Sequence, residues 1–361
     1  MNKPTSILLN ATHTHTGGGL TYLRHILPLL AAEERLALTL LAPASTLAKL
    51  TLPAGVATWQ APHAGFLKTH LWEQLVLPFQ SRARGFQAML CNANFVPLLA
   101  KNPIPILHTT ATAQQVTRGQ VSAMYWWLLR LLTTLGILRA PVVFSLTQLM
   151  VNEFTPWPFS YARRKAVVVP PGVPPANLKT KPRKGLLLAV GDFYAQKNYP
   201  TLLKAFALLH SQRPNARLEI VGKPVFPEVA AEMERLIAHH HLAEVVTLTG
   251  DMPHARLMER MAQAELFVSA SVVESFNIPL VEAMSMGTPV VCLGAPYVAD
   301  VAGDAVLSVG AHQGGDIPAA LAVAMFGLLE SKPLREMFIR RGQQHAVRYR
   351  WDTTGALLVN A

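Results

Sequence analysis

Two glutamates in the last third of the chain are the residues best suited to bind a polar ligand. Glu274 and Glu282 are separated by seven residues and follow an apolar run at 266–268 that has the length of a buried strand. Pro279 suits the first turn of a helix, which predicts Glu282 in that turn and Glu274 in the preceding loop. Ligands bind at this end of a strand in an open α/β sheet, and carboxylates there form charge-assisted hydrogen bonds with hydroxyl groups.

Each glutamate also has a simpler explanation. An acid in a first turn interacts favourably with the helix dipole, and Glu282 taken alone is equally well explained in that way. Glu274 lies near Phe276 and Ile278, and an acid in such an apolar neighbourhood is better explained by ligand hydroxyls than by packing. A solvated loop acid is the alternative.

A second segment carries a lysine where a phosphate could bind. Residues 191–198 read GDFYAQKN and lie between a predicted strand and a helix that begins near Pro200. Lys197 is therefore placed beside the free backbone amides of a helix N-terminus, an arrangement that binds anions. A surface lysine in a turn is the alternative.

Three consecutive glycines follow the first predicted strand, residues 6–9. Gly17, Gly18 and Gly19 would let the backbone approach a ligand closely. The pattern is not G-x-G-x-x-G, so it is weak evidence for a nucleotide, and a tight structural turn explains it as well.

The histidines and cysteines form no recognisable metal-binding motif. His13 and His15 precede the glycines, and three histidines at 239–241 end a predicted helix, but neither group has further zinc ligands in register. Solvated or loop positions are favoured for all five. The two cysteines, Cys91 and Cys292, are far apart, which fits a reducing compartment and predicts a cytoplasmic protein.

Alternating strand-length and helix-length patterns predict two α/β domains. The 361 residues exceed the usual size of one hydrophobic core. In the second half, the alternation is that of a doubly wound parallel sheet. Its predicted strands are 186–190, 218–221, 245–248, 266–268 and 290–293, and its predicted helices are 202–209, 229–240, 257–264 and 280–286.

The first half repeats this pattern less regularly. Its predicted strands are 6–9, 36–41, 88–91, 104–108, 142–145 and 167–169, and its clearest helix is 20–32. The proline-rich turn at 170–175 is interpreted as a hinge between a domain at 1–170 and a domain at 171–345. The tail, 346–361, could pack back on the first domain.

The chain is basic, with 32 Lys and Arg against 21 Asp and Glu and a formal net charge of +11. This surplus favours an anionic partner: lipid headgroups, nucleic acid or phosphorylated small molecules. No nucleic-acid-reading motif occurs, and the basic residues do not cluster with aromatic ones. The most apolar segment, 121–138, is predicted to be a buried helix, and Arg130 and Arg139 fall on opposite helical faces rather than in one basic stripe.

In combination, these segments resemble the retaining GT-B glycosyltransferases of group 1 (family 4), which build lipopolysaccharide, O-antigen and other bacterial surface glycans. Residues 274–290, ESFNIPLVEAMSMGTPV, are similar to the family pattern E-S-F-G-x-P-x-x-E-A-M-x-x-G-x-P-V. Residues 191–198 are similar to its strand-end glycine and basic phosphate-binding segment. In the first domain, 12–30 resembles its glycine-rich acceptor-side loop, and WEQLVLP at 72–78 looks like a segment common in O-antigen transferases.

The resemblance implies a GT-B fold, in which two Rossmann-like domains face each other across a cleft. It also implies transfer of a hexose, with retention, from a nucleoside diphosphate sugar to a hydroxyl of a glycan or lipid-linked glycan. By this resemblance, Glu274 would bind the donor sugar, Glu282 the ribose and Lys197 the diphosphate. His108 would lie near the donor sugar, and the three glycines would lie on the acceptor side. The remaining implied donor-binding residues are Gly191, Asn198, Phe276, Asn277, Ile278, Pro279 and Leu280.

The sequence departs from the family pattern at two positions. Asp192 stands where the family often has an arginine that holds the diphosphate, which leaves more of that task to Lys197. Asn277 replaces a glycine, a tolerable change because asparagine adopts left-handed backbone conformations more readily than most residues.

The resemblance also bears on cofactors and partners. No Asp-x-Asp motif occurs, which argues against the metal-dependent GT-A class, so we expect no metal and no cofactor apart from the donor substrate. The expected partners are the donor, a glycan or lipid-linked acceptor and, through peripheral contact, the inner face of the cytoplasmic membrane. The alternatives are a GT-B nucleotide-sugar epimerase and a basic membrane-surface binding protein with a degenerate site.

Overall fold

The computed structural model describes residues 3–15, 17–62, 65–116, 122–175, 180–310 and 315–361. The chain forms two compact units. The first comprises Met1–Gln114, Arg118–Gly172 and Arg350–Ala361, and the second comprises Gln115–Thr117 and Val173–Tyr349. The division after Gly172 falls inside the proline-rich turn.

The first half of the chain contains seven strands and seven helices among the described residues. The strands are β1 (Thr5–Asn10), β2 (Leu36–Ala42), β3 (Ala57–Gln60), β4 (Ala88–Cys91), β5 (Pro103–Leu107), β6 (Val143–Ser145) and β7 (Ala166–Val168). The helices are α1 (Gly17–Ala31), α2 (Ala44–Leu47), α3 (Gly65–Leu75), α4 (Leu77–Ala83), α5 (Ala113–Val116), α6 (Ala123–Arg139) and α7 (Gln148–Phe154), and a 3-10 helix spans Phe159–Lys165.

The second half supplies six strands and eight helices among the described residues. The strands are β8 (Arg183–Val190), β9 (Arg217–Val221), β10 (Val246–Gly250), β11 (Ala264–Ser269), β12 (Val290–Leu293) and β13 (Leu307–Val309). The helices are α8 (Tyr199–Gln212), α9 (Pro227–His239), α10 (His254–Gln263), α11 (Ile278–Ser285), α12 (Pro296–Val301), α13 (Ile317–Glu330), α14 (Lys332–Ala346) and α15 (Trp351–Asn360), and short 3-10 helices span Ala195–Lys197 and Gly303–Ala305.

Both units contain one parallel, doubly wound sheet. The strand order is β3-β2-β1-β4-β5-β6-β7 in the first unit and β10-β9-β8-β11-β12-β13 in the second. In each sheet the first strand is central and the order reverses beside it, between β1 and β4 and between β8 and β11. Such a reversal leaves a crevice at the carboxyl ends of the two strands, where ligands bind in α/β proteins. The α/β fold class is therefore confirmed.

Helices cover the second sheet on both faces, as its almost continuous apolar strands require. Helices α8, α9 and α13 bury Phe206, Met233 and Leu328 in one core with side chains of β8, β9, β11 and β12. Helices α10 and α11 contact β11 from the opposite face. In the first unit, α15 packs on α1, and Trp351 stacks on His25 with ring centroids 4.2 Å apart.

The structure corrects three sequence expectations. Strands β3 and β13 were not predicted, because each is a short edge strand with few buried residues. The helix predicted at 20–32 begins at Gly17, so the glycines form its first turn rather than a loop, at a position where backbone amides need no helical partner.

The third correction concerns the apolar segment at 121–138, whose first residue lies outside the described ranges. Helix α6 is buried on one face only, through Trp126, Leu129 and Leu132, whereas Trp127 is 65% exposed. Within the described ranges, no single helix is both long and apolar enough to span a membrane. Two consecutive helical stretches, Ile317–Glu330 and Lys332–Asn360, meet that length and composition only when they are taken together. The chain bends by 98° between them.

Candidate functional site

The reversal of strand order in the second unit brings two predicted site residues into contact. Lys197 follows β8, and Glu274 lies in the loop after β11. Lys197 Nζ donates to Glu274 Oε1 at 2.6 Å, and both side chains are largely buried, with 13% and 14% exposure. The backbone joins the same loops, because the Val272 amide donates to the Gln196 carbonyl at 3.0 Å.

A glycine allows Lys197 to reach this position. A Cβ atom at Gly191 would lie 2.5 Å from Cε of Lys197, so any larger residue would displace the lysine side chain. The Tyr199 hydroxyl donates to the Gly191 carbonyl and fixes the turn from the other side. Asn198 has a left-handed backbone, with φ of 52°, and stands at the start of α8. The helix therefore begins close to Pro200, as the sequence predicts.

Asn277 sets the direction of the loop that carries Glu274. Its backbone is left-handed, with φ of 67°, which confirms the reason for accepting asparagine in place of glycine. Its side-chain amide donates to Ser269 Oγ at 3.1 Å and to the Tyr297 hydroxyl at 3.0 Å. Helix α11 starts at the next residue, and Phe276 is buried with its ring 5.1 Å from that of Tyr349. Asn277 thereby fixes the direction in which the chain leaves the Glu274 loop and enters α11.

Glu282 is the fifth residue of α11 and lies just past the first turn, in which the sequence predicts it. Helix α11 starts at Ile278 and has no acid in its first turn, so interaction with the helix dipole does not explain this carboxylate. Glu282 is buried, and its Oε1 lies 2.7 Å from Nε2 of the half-exposed His254. The hydrogen bond to Glu282 raises the pKa of His254, although burial opposes it. Sequence analysis missed His254, because no local pattern connects two residues on different helices.

Asp192 has a structural partner. Its Oδ1 accepts the Lys223 backbone amide at 2.9 Å and so joins the turns after β8 and β9. The Lys223 ammonium points to the exposed Asp251, at 2.8 Å. Asp192 thus positions the backbone here, and the positive charge beside Glu274 comes from Lys197.

The first unit holds the other predicted residues. His108 follows β5, and its Nε2 lies 2.9 Å from Oδ1 of Asn92. Burial lowers the pKa of His108 to about 4, which keeps the imidazole neutral near pH 7. Its ring packs edge-on against Tyr22, with centroids 5.1 Å apart. The neighbouring glycines, Gly17, Gly18 and Gly19, form the first turn of α1.

One further expectation for the first unit is confirmed only in part. His13, predicted to be solvated or in a loop, lies in the loop after β1, but it is mostly buried and lies 2.7 Å from the carboxylate of Glu73. The imidazole of His70 lies beside it, with ring centroids 4.4 Å apart. The sequence separates His13 from the other two by more than fifty residues, so no spacing pattern reveals the cluster.

The Lys197–Glu274 pair predicts a coupled effect on stability. Lys197→Met or Glu274→Gln should each lower the free energy of unfolding by about 1–3 kcal/mol, because each leaves a partly buried polar partner unpaired. The double variant should lose about 0.5–3 kcal/mol less than the sum of the single variants. Urea unfolding of all four proteins measures this coupling.

Lys223→Met is the matched control, because it removes a lysine from the exposed pair with Asp251. This substitution should lower the free energy of unfolding by less than about 1 kcal/mol. Strictly additive losses at 197 and 274 would show that the two side chains do not interact in solution.

Comparison with known proteins finds a family similarity for the second unit. Residues 175–345 match the family model described as glycosyl transferases group 1. The chain is 31% identical over 183 residues to D-inositol 3-phosphate glycosyltransferase 2 of Catenulispora acidiphila, covering 48% of this chain and 42% of that protein. It is 28% identical over 179 residues to O-antigen chain mannosyltransferase B of Escherichia coli, covering 49% and 45%. The match therefore spans less than half the length of these curated relatives.

Solved structures match nearly the whole chain. Anabaena Alr3699/HepE in complex with UDP and glucose has a TM-score of 0.75 at 17% identity and covers 98% of both chains. WaaG, a glycosyltransferase involved in lipopolysaccharide biosynthesis, has the same TM-score and identity and covers 98% of this chain and 100% of that one. These likenesses confirm the GT-B fold, and the second unit is similar to the group 1 glycosyltransferases.

Proposed function

We propose that this protein is a retaining glycosyltransferase that moves a hexose from a nucleoside diphosphate sugar to a hydroxyl of a glycan or lipid-linked glycan in surface polysaccharide biosynthesis. The observation that carries the proposal is the contact between Lys197 and Glu274 at the point where the strand order of the second sheet reverses. This contact lies within the segment that matches the group 1 family. HepE, whose structure contains UDP and glucose, supports a nucleotide sugar as donor.

The proposed donor site places positive charge where the reaction develops negative charge. As the sugar–phosphate bond breaks, its electron pair leaves with the diphosphate, and the acceptor oxygen bonds to the anomeric carbon. The hydroxyl proton passes to the departing phosphate oxygen. The ammonium of Lys197 and the positive end of the α8 dipole can stabilise the charge on this leaving group without a metal ion.

The carboxylates have complementary roles in the same proposal. Glu274 would accept hydrogen bonds from sugar hydroxyls, and the backbone of residues 277–280 would contact the donor too. Glu282 would accept hydrogen bonds from the two ribose hydroxyls. His108 stays a proposed sugar-binding residue, because its neutral imidazole can form hydrogen bonds without attracting a competing anion. The glycines at 17–19 keep their proposed position on the acceptor side.

The relatives support the class of acceptor. One of them is named for transfer to an O-antigen chain and another for transfer to D-inositol 3-phosphate, so both names specify an acceptor rich in hydroxyl groups. A nucleotide-sugar epimerase, in contrast, would need no acceptor and would convert the donor alone.

Transfer can be tested directly. UDP, GDP, ADP and dTDP would first be compared by thermal shift, because a true donor nucleotide stabilises the fold by mass action. Radiolabelled sugars of the best nucleotide would then be incubated with membrane lipid acceptors. We expect labelled lipid product with the wild type and at least a hundredfold less with Glu274→Gln, about 2.7 kcal/mol or more of lost transition-state stabilisation.

Glu244→Gln, an exposed carboxylate of the same unit, is the matched control and should keep wild-type transfer. Formation of an epimeric sugar nucleotide from donor alone would favour the epimerase. The proposal fails if no nucleotide stabilises the protein and no donor is transferred or hydrolysed.

The His254–Glu282 pair predicts that donor binding depends on pH. Protonated His254 holds Glu282 in the free protein, a stabilisation present below the ordinary histidine pKa near 6.5 and lost as the pH rises through the raised pKa of His254. A ribose that binds Glu282 competes with this contact. Affinity for the nucleotide sugar should therefore increase with pH over that range, and His254→Gln should remove the dependence.

Calorimetry with the intact nucleotide sugar measures this effect, because its two phosphate groups do not titrate near pH 6.5. An affinity that falls with pH, and does so only when His254 is present, would show that His254 binds the donor rather than masking Glu282. His239→Gln, an exposed histidine of the same unit, is the control and should leave the pH profile unchanged.

A lipid-linked acceptor would bring the enzyme to a membrane, and the first unit has a surface suited to peripheral attachment on the inner face of the cytoplasmic membrane. Residues 1–172 of the chain contain 14 Lys and Arg but only four Asp and Glu, one of which is the buried Glu73. Two helices of this unit expose apolar stripes at helical spacing. The exposed residues are Leu67, Leu71 and Leu75 on α3, and Met124, Trp127, Leu131 and Leu135 on α6.

The two helices that carry the stripes contact one segment of chain. The side chain of Gln74 on α3 binds the Val96 carbonyl and the Leu98 amide, and Leu98 packs against the cluster that contains Trp126 of α6. The same helices and the neighbouring α4 also carry exposed basic residues, Lys68 on α3, Arg82 on α4 and Arg130 on α6. Apolar side chains that enter a bilayer together with basic residues that meet anionic headgroups are the usual means of peripheral binding.

Vesicle sedimentation tests this attachment. Trp127→Ser with Leu131→Ser should weaken binding to vesicles rich in phosphatidylglycerol by about tenfold or more, because burying one such side chain contributes about 1.5–3 kcal/mol. Higher salt should weaken wild-type binding, and phosphatidylcholine vesicles should bind less. Val323→Ser, an exposed apolar residue of the second unit, is the control. Attachment through α6 would be contradicted if the α6 double variant and Val323→Ser lost vesicle binding equally, or if neither lost any.

A further inference from the structure

A second cluster of polar side chains lies in the first unit, outside the residues assigned above. His13 is in the loop after β1, which is the strand beside which the order of the first sheet reverses. His70 and Glu73 are three residues apart on α3, so they project from the same face of that helix. We call these three residues the His13 cluster.

The geometry of the cluster is that of a ligand set. One ligand atom from each of the three side chains lies within 4.8 Å of the other two. The side chain of Glu73 is fully buried, His70 is 3% exposed, and His13 is 18% exposed and forms the accessible side. Phe95 packs against both imidazoles, with ring centroids 4.5 Å from His70 and 5.3 Å from His13, and provides an apolar wall.

We propose that the His13 cluster binds one divalent transition-metal ion, for which zinc is the best match. Two imidazoles and one carboxylate, with a fourth position open on one side, form a common set of zinc ligands. A hard cation such as Mg²⁺ is a poor match, because it prefers oxygen ligands and retains most of its water.

The surroundings of the cluster fit this role. Asn10 Nδ2 donates to Oε1 of Glu73 at 2.6 Å, which fixes the carboxylate and leaves Oε2 directed at His13 Nε2, 2.7 Å away. Such an outer hydrogen bond to a ligating carboxylate is typical of metal sites. In a tetrahedral site the ligand atoms are about 3.3 Å apart, because metal–nitrogen bonds are about 2.0–2.1 Å long. Small side-chain rotations therefore suffice to enclose an ion.

The metal-free cluster is also electrostatically reasonable. Burial alone would lower the pKa of His13, but the Glu73 carboxylate reverses this effect and raises it. An imidazolium thus balances the buried carboxylate when no ion is bound. A metal ion would take over that balance and would add His70 to the bonded set, linking the loop after β1 to α3.

This inference is independent of the proposed transfer reaction, and metal binding itself tests it. The three adjacent histidines at 239–241 could bind metal weakly, so the experiment uses a His239→Gln, His240→Gln, His241→Gln background. After treatment with EDTA, this protein would be titrated with Co²⁺ alone and followed by absorption spectroscopy. We expect one equivalent to bind with the d–d spectrum of four-coordinate cobalt, and Zn²⁺ to displace it.

Variants of the cluster assign the site. His13→Gln and Glu73→Gln should each weaken cobalt binding at least tenfold and abolish the spectrum. His25→Gln, a histidine of the same unit that stacks on Trp351, should bind normally. Zinc should also raise the unfolding temperature of the background protein but not that of His13→Gln.

Two results would overturn the proposal. One is the absence of a four-coordinate cobalt spectrum in the folded background protein. The other is a spectrum that persists in His13→Gln. If the fully buried Glu73→Gln variant does not fold, as judged by circular dichroism, the partly exposed His13 variant decides the question alone.

Discussion

The structure depends on one constraint of parallel sheets: all strands end at the same edge, and a crevice opens only where the strand order reverses. In the second unit this point lies between β8 and β11, and it places the Lys197 turn against the Glu274 loop. Neither residue has a partner on its own element that would hold it there. The ion pair between them is therefore a consequence of topology, and the proposed donor chemistry rests on the same topology.

Local rules predicted the parts of this site that local backbone geometry controls. Pro279 marked the start of α11, and Asn277 adopts the left-handed conformation that its position requires. The turn at Gly191 and the start of α8 near Pro200 follow for the same reason. Each of these features is determined within a few residues of chain, so a single sequence is sufficient to find them.

Contacts between distant segments were not predictable in this way. His254 binds Glu282 from another helix, and His70 and Glu73 reach His13 from α3, so no spacing rule applies to either group. The exposed face of α6 was missed because Trp126 and Trp127 look alike in an apolar run. Only the packing of the helix shows that the first is buried and the second is not. Edge strands such as β13 bury too little to leave a pattern.

The free protein already pairs each carboxylate of the proposed donor site with a basic side chain, Glu274 with Lys197 and Glu282 with His254. This arrangement keeps two largely buried acids from destabilising the ligand-free protein, and it positions them before a ligand binds. It also reduces the net gain on binding, since sugar and ribose hydroxyls must share or replace existing hydrogen bonds. The diphosphate differs, because it brings two negative charges to a lysine that is otherwise balanced by a single carboxylate. Electrostatics therefore predicts that the diphosphate supplies most of the donor affinity and that the carboxylates supply selectivity.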